Sequence, residues 1–382
     1  MLIKPTSKTK TWRYQTMDAG KNKTLIYPLA SRLAHIAMIV GFGLAYLIVD
    51  FSLYMHAVLG VMFGVAIAGR ILWGLFGTKY SKFSDFHFRG LFRYFSSFSN
   101  HKTAYISHNP ASSIAIIIIL ALGVVCSLSG LMVYGIDEKS GVFANLYESY
   151  SKFSFVKDIH EISANLLLGV ILVHICGALV DKLIAKNDSL NAIITGFKST
   201  LNAGAIKPNL AQKLFCIIWI GAILTALSFS FYKQNPLLKS HYEMVDYAMQ
   251  NPTFAKECGS CHFIYPPFLL TAKSWEIMMS DLENHFGDDA SIDDESNSEI
   301  LKYLVRNSAD KTGTKISTKI AKTSKNEIAI TQNAYWIKKH DKIPAKTFEQ
   351  KSIKSKANCE ACHKGIQNGI IQKDLIKFES VK

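Results

Sequence analysis

The chain has 382 residues, of which 19% are charged and 49% are hydrophobic. This balance excludes a disordered, collagen-like or small disulfide-rich protein, since globular soluble chains usually carry about a quarter charged residues. It indicates that part of the chain lies in lipid. The formal net charge of +14 first suggests the basic cytoplasmic loops of a membrane protein. We expect no nucleic-acid partner, because no basic stretch is interleaved with stacking aromatic residues.

Five apolar stretches in the first 232 residues predict membrane-spanning helices. Each approaches the roughly 20 residues that a helix needs to cross hydrocarbon, and lipid cannot satisfy an open backbone. The stretches are Leu33–Val49 (which Thr24–Ser31 could extend), Phe51–Phe76, Pro110–Ile136, Ile159–Val180 and Leu214–Tyr232. We therefore predict an all-α fold. Residues 1–232 form a transmembrane bundle of four helices with a fifth anchoring span, and residues 233–382 form a small, mostly helical domain.

The distribution of Lys and Arg predicts the orientation in the membrane. Basic residues are concentrated before the first span, after the second and after the fourth, whereas the loop between the third and fourth spans is mixed in charge. They are Lys4, Lys8, Lys10, Arg13, Lys21, Lys23 and Arg32, then Lys79, Lys82, Arg89, Arg93 and Lys102, and then Lys182, Lys186, Lys198, Lys207 and Lys213. The positive-inside rule places the N-terminus inside. Five spans then place the polar tail outside, and we expect no removable signal peptide.

Two C-x-x-C-H motifs in the tail, Cys258–His262 and Cys359–His363, indicate covalently bound c-type haem. In this motif two thiols add to the haem vinyl groups, and the adjacent imidazole reaches the iron from the same turn. The predicted attachment residues are Cys258, Cys261, Cys359 and Cys362, and the predicted iron ligands are His262 and His363. A zinc site or a redox dithiol is the alternative, but zinc leaves the strict adjacency of the histidine unexplained. Covalent haem attachment also takes place on the outer side, where the charges place this tail.

Each c-type haem iron needs a sixth ligand, and the tail offers four candidates besides the motifs. These are His241, His285, His340 and the Met278–Met279 pair. We rank His285 and His340 first, the methionines lower, and His241 last because it follows the membrane anchor closely. The sequence does not assign either histidine to a particular motif.

Four histidines within the spans, His35, His56, His160 and His174, are candidate ligands of b-type haem. Ionisable residues inside a membrane are rare and usually functional. His160 and His174 are 14 residues apart on one helix, so they share one face and lie about 21 Å apart along its axis. Matching the depths of the histidines pairs His35 with His174 at an inner haem and His56 with His160 at an outer one. A proton relay in a transporter is the alternative.

Several further residues carry weaker expectations. The glycines of the first two spans would admit a flat macrocycle or permit close helix packing, namely Gly41, Gly43, Gly60, Gly64 and Gly69. Arg32 and Arg70 could pair with haem propionates or a quinone headgroup, or extend to the membrane interface. We expect the loop histidines His87, His101 and His108 to be solvated. The Lys/Thr/Ser-rich stretch 310–326 predicts a flexible loop.

The first 232 residues resemble the bacterial cytochrome b561-type superfamily, which includes the membrane b subunits of nickel-iron hydrogenases and formate dehydrogenases. The matching elements are Arg32–His35, His56 with Gly60, Arg70–Gly74, and the His160 and His174 pair. The resemblance implies two b-type haems and electron exchange with quinone. A hydrogenase partner is not carried over, because the chain fuses this module to another.

The tail from about His241 resembles the dihaem cytochrome c family. The matching residues are Cys258–His262, Tyr265–Pro267, Ser274–Trp275, His285–Gly287, Lys339–His340 and Asn358–Lys364. The resemblance implies that both c-type haems have two histidine ligands, which supports His285 and His340. The stretch 310–326 departs from the family as an insertion.

Together the two resemblances imply a membrane-bound tetrahaem electron-transfer protein with two haem b and two haem c. It would lie in a bacterial inner membrane, with the N-terminus inside and the C-terminal domain in the periplasm. Its expected partners are lipid, quinone and an extracytoplasmic redox protein. It would pass electrons between the quinone pool and that acceptor, either as a quinol:acceptor oxidoreductase or as an electron-transfer protein alone. The alternatives are a subunit that receives electrons from a partner dehydrogenase or hydrogenase, and a superoxide oxidase.

Overall fold

The computed structural model describes residues 23–96, 105–184, 187–199, 204–372 and 375–376. Several residues named above lie outside the described residues. They are the basic leader up to Lys21, His101, Lys102 and Lys186.

The membrane part of the chain is almost entirely helical. Its elements are β1 (Lys23–Leu25), α1 (Leu29–Ile48), α2 (Leu53–Phe76), α3 (Leu91–Ser96), α4 (Pro110–Glu138), α5 (Tyr150–Phe153), α6 (Phe155–Leu183), α7 (Ser189–Thr195), β2 (Phe197–Ser199) and α8 (Leu210–Ser228), with 3-10 turns at Phe83–Asp85 and Gly141–Ser149. Helices α1, α2, α4, α6 and α8 are long and apolar enough to cross a membrane, which confirms the five predicted spans. Large apolar side chains remain exposed along them, such as Leu47, Val173 and Ile217, as contact with lipid allows.

The start of the first span differs from the prediction. The expected extension through Thr24–Ser31 is helical only from Leu29 onward. The preceding residues form β1, which pairs antiparallel with β2, and Leu25 lies opposite Phe197. Pro28 explains the boundary, because proline disfavours helical conformation in the residue before it and is tolerated at the beginning of a helix.

The chain divides into two compact units. One comprises the chain up to Ala34 with Arg70–Ile118 and Val170–Ile218, and the other comprises His35–Gly69, Ile119–Gly169 and the chain from Trp219 onward. The first unit contains a small core around Ile26, Tyr80 and Ile206. The second unit contains the whole polar tail, including both C-x-x-C-H motifs.

The tail is built from short helices around one hydrophobic core. Its elements are α9 (Tyr247–Gln250), α10 (Pro252–Cys258), α11 (Ala272–Met279), α12 (Asp294–Arg306), α13 (Lys315–Thr323), α14 (Ala334–His340) and α15 (Ala345–Phe348), with 3-10 turns at Pro267–Leu269, Leu282–Asn284, Ile330–Gln332, Cys359–Ala361 and Ile366–Asn368. Side-chain N-caps begin several of them, for example Asn251, Thr271 and Asp293, and such caps satisfy exposed amides of the first turn. The all-α fold is confirmed.

The predicted loop at 310–326 is wrong, because it contains helix α13. Thr314 caps this helix by accepting a hydrogen bond from the Ser317 amide. Ile316 packs against the core of the tail, and Ile320 is only 2% exposed within it. Two isoleucines four residues apart supply an apolar helical face, which the abundance of Lys, Thr and Ser hides in the composition.

Candidate functional site

Two histidines of the apolar helices, His56 on α2 and His160 on α6, have their rings close together. Their ring centres are 6.0 Å apart, with the planes at 89°. An imidazole nitrogen binds a metal at about 2 Å and lies about 1 Å from its ring centre, so two imidazoles on opposite sides of one iron have centres about 6 Å apart. The two rings therefore have the separation that a single haem iron between them requires.

Hydrogen bonds fix which nitrogen of each ring is free to bind a metal. Nδ1 of His56 donates to the carbonyl of Ala45 at 2.9 Å, and Nδ1 of His160 donates to the carbonyl of Cys126 at 3.0 Å. A carbonyl oxygen can only accept, so Nδ1 carries the hydrogen and Nε2 keeps its lone pair. Such contacts orient a metal-binding histidine and raise its basicity.

A wall of small residues on α4 confines the ring of His160. The hydroxyl of Ser129 lies 3.4 Å from its Nδ1. A Cβ on Gly130 would lie 2.8 Å from its Cε1, so a residue larger than glycine would press directly on the ring. Sequence reasoning missed these neighbours, although a Ser-Gly pair inside an otherwise apolar span was a visible signal.

The five glycines of the first two spans fall into two groups. Gly41, Gly64 and Gly69 lie against side chains or backbone of neighbouring segments, so they serve helix packing. A Cβ on Gly43 or Gly60 would meet nothing within 4 Å. Gly60 follows the histidine of α2 by one turn, so open space lies one turn from that histidine.

The other two membrane-span histidines, His35 and His174, lie on α1 and α6. His35 belongs to one compact unit and His174 to the other. Their pairing at an inner haem stays a prediction.

The first C-x-x-C-H motif is paired with His285. Cys258 ends α10, and the ring centre of His262 lies 6.3 Å from that of His285, with the planes at 22°. Nδ1 of His262 donates to the carbonyl of Phe263 at 2.7 Å. With this separation, His262 and His285 could together hold one iron.

The second motif is paired with His340, at the end of α14. Its ring centre lies 6.1 Å from that of His363. Trp336, one turn earlier, holds the His340 ring through two contacts. Its carbonyl accepts a hydrogen bond from Nδ1 at 2.8 Å, and its indole stacks on the imidazole with ring centres 4.2 Å apart. Nδ1 of His363 is buried without a hydrogen-bond partner among the described residues. The structure thus places His285 beside the first motif and His340 beside the second.

The remaining sixth-ligand candidates lie elsewhere. Met279 is buried in the hydrophobic core, Met278 packs against it, and His241 is exposed after the anchor span. The lower ranking of these residues agrees with their positions.

The zinc and dithiol alternatives fit the motifs poorly. In the described part of the chain, no group of three or more His, Cys, Asp or Glu side chains is arranged to hold a metal ion. Burial raises the pKa of the Cys258 and Cys359 thiols to about 11, with a further contribution from Glu257 at Cys258. A reactive dithiol needs the thiolate form, which a raised pKa disfavours. All four motif cysteines are free of disulfides, as thioether attachment of haem requires.

Tyr265 lies between the two c-type motifs. Its ring centre is 5.1 Å from that of His262, and its hydroxyl donates to the carbonyl of Ala357 at 2.6 Å. Ala357 lies two residues before the second motif. One aromatic side chain thus contacts the iron-ligand candidate of the first motif and the backbone just before the second motif, a role that the sequence did not indicate.

A second cluster of polar groups surrounds Phe86. The guanidinium carbon of Arg70 lies 5.9 Å from the centre of the Phe86 ring, and the His108 ring lies 4.5 Å from it. Nη1 of Arg70 and Nδ1 of His108 are both buried without hydrogen-bond partners among the described residues. Leaving buried polar atoms unpaired costs free energy, so each nitrogen would gain from a hydrogen-bond partner.

The expectation that His108 is solvated is wrong. Burial, together with the charge of Arg70, lowers the pKa of His108 to about 3. The aromatic rings of Tyr27 and Phe86 pack around it. His87 is exposed as expected, and its Nδ1 lies 3.2 Å from the His108 carbonyl.

Histidine pairs at iron-ligating separation, one within membrane helices and two on C-x-x-C-H motifs, define a membrane-bound haem protein of electron transfer. Family models match the chain in two places. The prokaryotic cytochrome b561 model covers residues 26–196, and the dihaem cytochrome c model covers residues 254–370. The chain therefore joins a cytochrome b561 domain to a dihaem cytochrome c domain, which confirms the two resemblances.

Two solved structures similar to the tail are dihaem cytochromes c. One, from Shewanella baltica OS155, is 36% identical, covers 33% of this chain and 91% of its own, and has a TM-score of 0.28. The other, from Rhodobacter sphaeroides, is also 36% identical, covers 34% of this chain and 99% of its own, and has a TM-score of 0.29. No curated protein matches the chain significantly.

Proposed function

We propose that this chain carries electrons between the membrane quinone pool and a redox acceptor outside the membrane. Four haems would take part, two of b type held by His35 with His174 and by His56 with His160, and two of c type held by His262 with His285 and by His340 with His363. The observation that carries the proposal is the separation of 6.0 to 6.3 Å in all three pairs with measured ring distances. Haem supplies the one-electron redox chemistry, and the chain supplies ligands, orientation and burial.

Two imidazoles at each iron favour electron transfer over chemistry on the iron. With two histidines holding each iron, no coordination position would remain for oxygen or superoxide. The anchored Nδ1 atoms of His56, His160, His262 and His340 hold the rings in place, so little reorganisation accompanies a change of charge. This arrangement disfavours the superoxide oxidase alternative.

The proposed location is a bacterial inner membrane, with the N-terminus inside and residues 233–382 as a periplasmic domain beyond the membrane domain of residues 1–232. Lys79, Lys82 and Arg89 in the loop after α2 support this orientation, because basic loops stay in the cytoplasm. Covalent haem attachment in the tail supports an outer location for that part. Electrons would then leave quinol and pass outward to the extracytoplasmic acceptor.

Arg70 and His108 are the proposed contacts for the quinone headgroup. Both present buried, unpaired nitrogens, and a quinone carbonyl is an acceptor of matching chemistry. A haem propionate offers the same acceptor chemistry. Removing a charged donor to one of these oxygens should cost about 1.5–3 kcal/mol, or roughly 10- to 150-fold in affinity.

The experiment uses the purified protein in lipid vesicles with a water-soluble quinol and follows reduction of the c-type haems by absorbance. We expect quinol-dependent reduction that requires the b-type haems. A preparation with all haems present but no quinol-driven reduction would contradict the function.

A matched pair of variants tests the quinone contact. Arg70→Gln should raise the KM for quinol at unchanged b-type haem content, whereas Arg89→Gln, at an exposed arginine in the following loop, should leave it unchanged. Loss of b-type haem or a shifted b-haem potential at unchanged KM would assign Arg70 to a propionate and overturn the quinone contact.

A further inference from the structure

The basic segment 310–326 packs against a loop of the membrane domain. The carbonyl of Gly313 accepts a hydrogen bond from the Tyr150 amide at 3.0 Å. Gly313 also approaches the backbone of Glu148 so closely that a Cβ would collide with its carbonyl. Tyr150 and Glu148 belong to the connection between α4 and α6, residues 139–154, which we call the outer loop. Glycine at position 313 is therefore required by this contact.

Lysines of α13 strengthen the same contact. Nζ of Lys315 forms an ion pair with the carboxylate of Asp137 at the end of α4, and the two side chains are only 25% and 9% exposed. One turn later, Nζ of Lys319 lies 5.8 Å from the centre of the Tyr150 ring. A largely buried pair is little screened by salt, and breaking it is costly. Lys315 thus contacts an acidic residue of α4, and Lys319 contacts an aromatic residue of the outer loop.

The chain that follows α8 also holds the outer loop. The amide of Gly141 donates to the carbonyl of Lys239 at 2.8 Å, and the amide of His241 donates to the carbonyl of Lys139 at 2.9 Å. These backbone bonds anchor the start of the loop, while Gly313 and α13 contact its end. The tail is therefore attached to the outer loop at two places.

This attachment determines which c-type site lies near the membrane histidines. Helix α14 packs on α13, and its Lys339 lies within electrostatic range of Asp137 and Lys157. Lys157 precedes His160 by three residues on α6. His340, the residue after Lys339, is thus on the side of the tail that meets the ends of α4 and α6.

The other c-type site has different surroundings. His262 and Cys261 are exposed, and Phe286, next to His285, is 59% exposed. The ring of His262 contacts residues of the tail, including Phe263 and Tyr265. This site is open to a soluble partner.

We propose that segment 310–326 is a docking element that holds the tail on the outer loop, so that the His340/His363 site receives electrons from the His56/His160 site and the His262/His285 site delivers them outward. This inference rests on the proposed function. One electron leaves the His56/His160 site as one enters the His340/His363 site, with no bond made or broken. The contacts of Tyr265 with His262 and with the backbone just before the second motif place it along the onward path. Quinol is the reductant, and the external redox protein is the oxidant.

A charge-reversal set tests the docking element in the full-length holoprotein. Lys315→Glu places two carboxylates together, Lys322→Glu makes the same change at an exposed position of α13, and Lys315→Glu with Asp137→Lys restores opposite charges. The readouts are amide hydrogen exchange over residues 139–154, the rate of b-to-c electron transfer after quinol addition, and haem content. We expect Lys315→Glu alone to raise the amide hydrogen exchange of residues 139–154 by about tenfold or more. It should also slow electron transfer from the b-type to the c-type haems at unchanged haem content. The double variant should recover the wild-type exchange and transfer rate. Wild-type exchange and transfer in Lys315→Glu would overturn the docking role.

The order of the sites is tested with a spectroscopic label. His285→Met gives the first site a His/Met ligand set, which is spectrally distinct from two histidines and raises its potential. We expect the unlabelled site to be reduced before the labelled one in rapid mixing, and the reverse order would overturn the inference. If quinol reduces no c-type haem in the wild type while Lys315→Glu still loosens the outer loop, the proposed function fails and the docking element stands.

Discussion

Gly130→Ala is the change with the clearest structural consequence for the membrane histidines. The new methyl carbon would lie 2.8 Å from Cε1 and 3.1 Å from Nδ1 of His160. Carbon atoms normally approach to about 3.5–4.0 Å, so the ring must retreat by about 0.7 Å or more. Metal–nitrogen bond lengths vary by only about 0.2 Å, so a displaced ring would strain the bond. The variant should therefore weaken the ligation of one b-type haem.

The magnitude follows from the contacts that the ring would lose. Its displacement stretches the hydrogen bond from Nδ1 to the Cys126 carbonyl, now 3.0 Å. Loss of such an outer partner lowers metal affinity by about 10- to 100-fold, equivalent to about 1.4–2.7 kcal/mol. Overpacking of a tight helix contact adds about 1–3 kcal/mol of destabilisation.

The assay is a reductive titration of the b-type haems in purified protein, with haem content measured alongside. We expect Gly130→Ala to lose one b-type haem or to shift its potential, while both c-type haems are retained. Gly221→Ala, on α8 where a Cβ meets nothing within 4 Å, is the control and should match the wild type. If Gly130→Ala keeps wild-type haem content and potentials, the placement of His160 as a ligand is refuted.

Three further variants test other parts of the account. His174→Ala should remove one b-type haem and leave both c-type haems, and a protein that keeps both b-type haems would refute the pairing with His35. His340→Ala should convert one c-type haem to a five-coordinate, high-spin form in the electron paramagnetic resonance spectrum, and a wholly low-spin spectrum would contradict the ligand assignment. Ile320→Ala, at a position 2% exposed, should destabilise the tail by about 2–5 kcal/mol, and an unchanged melting temperature of the c-type haem absorbance would show that α13 is not part of the core.

The spans and the haem motifs could be predicted because each depends on local sequence. Lipid demands a continuous apolar helix, so a stretch such as Pro110–Ile136 is recognisable by itself and appears as Pro110–Glu138. The C-x-x-C-H motif likewise contains both thiols and one iron ligand within five residues. The pairing of His56 with His160 followed from depth in the membrane, and the structure brings their rings together.

The features that could not be predicted depend on contacts between distant segments. The assignment of His285 to the first motif and His340 to the second requires the fold of the whole tail. Gly130 acquires its role only because α4 passes beside the ring of His160, 30 residues along the chain. The prediction of a flexible loop at 310–326 is wrong for the same reason, because its Lys315 pairs with Asp137 outside the tail.

The pigment content of the purified full-length protein tests the central claim most directly. A pyridine haemochrome assay counts non-covalent b-type and covalent c-type haem separately, relative to protein. The four pairs of histidines predict equal amounts, with two haems of each type per chain. Protein lacking b-type haem, or carrying only one c-type haem, would contradict the assignment of these histidines as iron ligands.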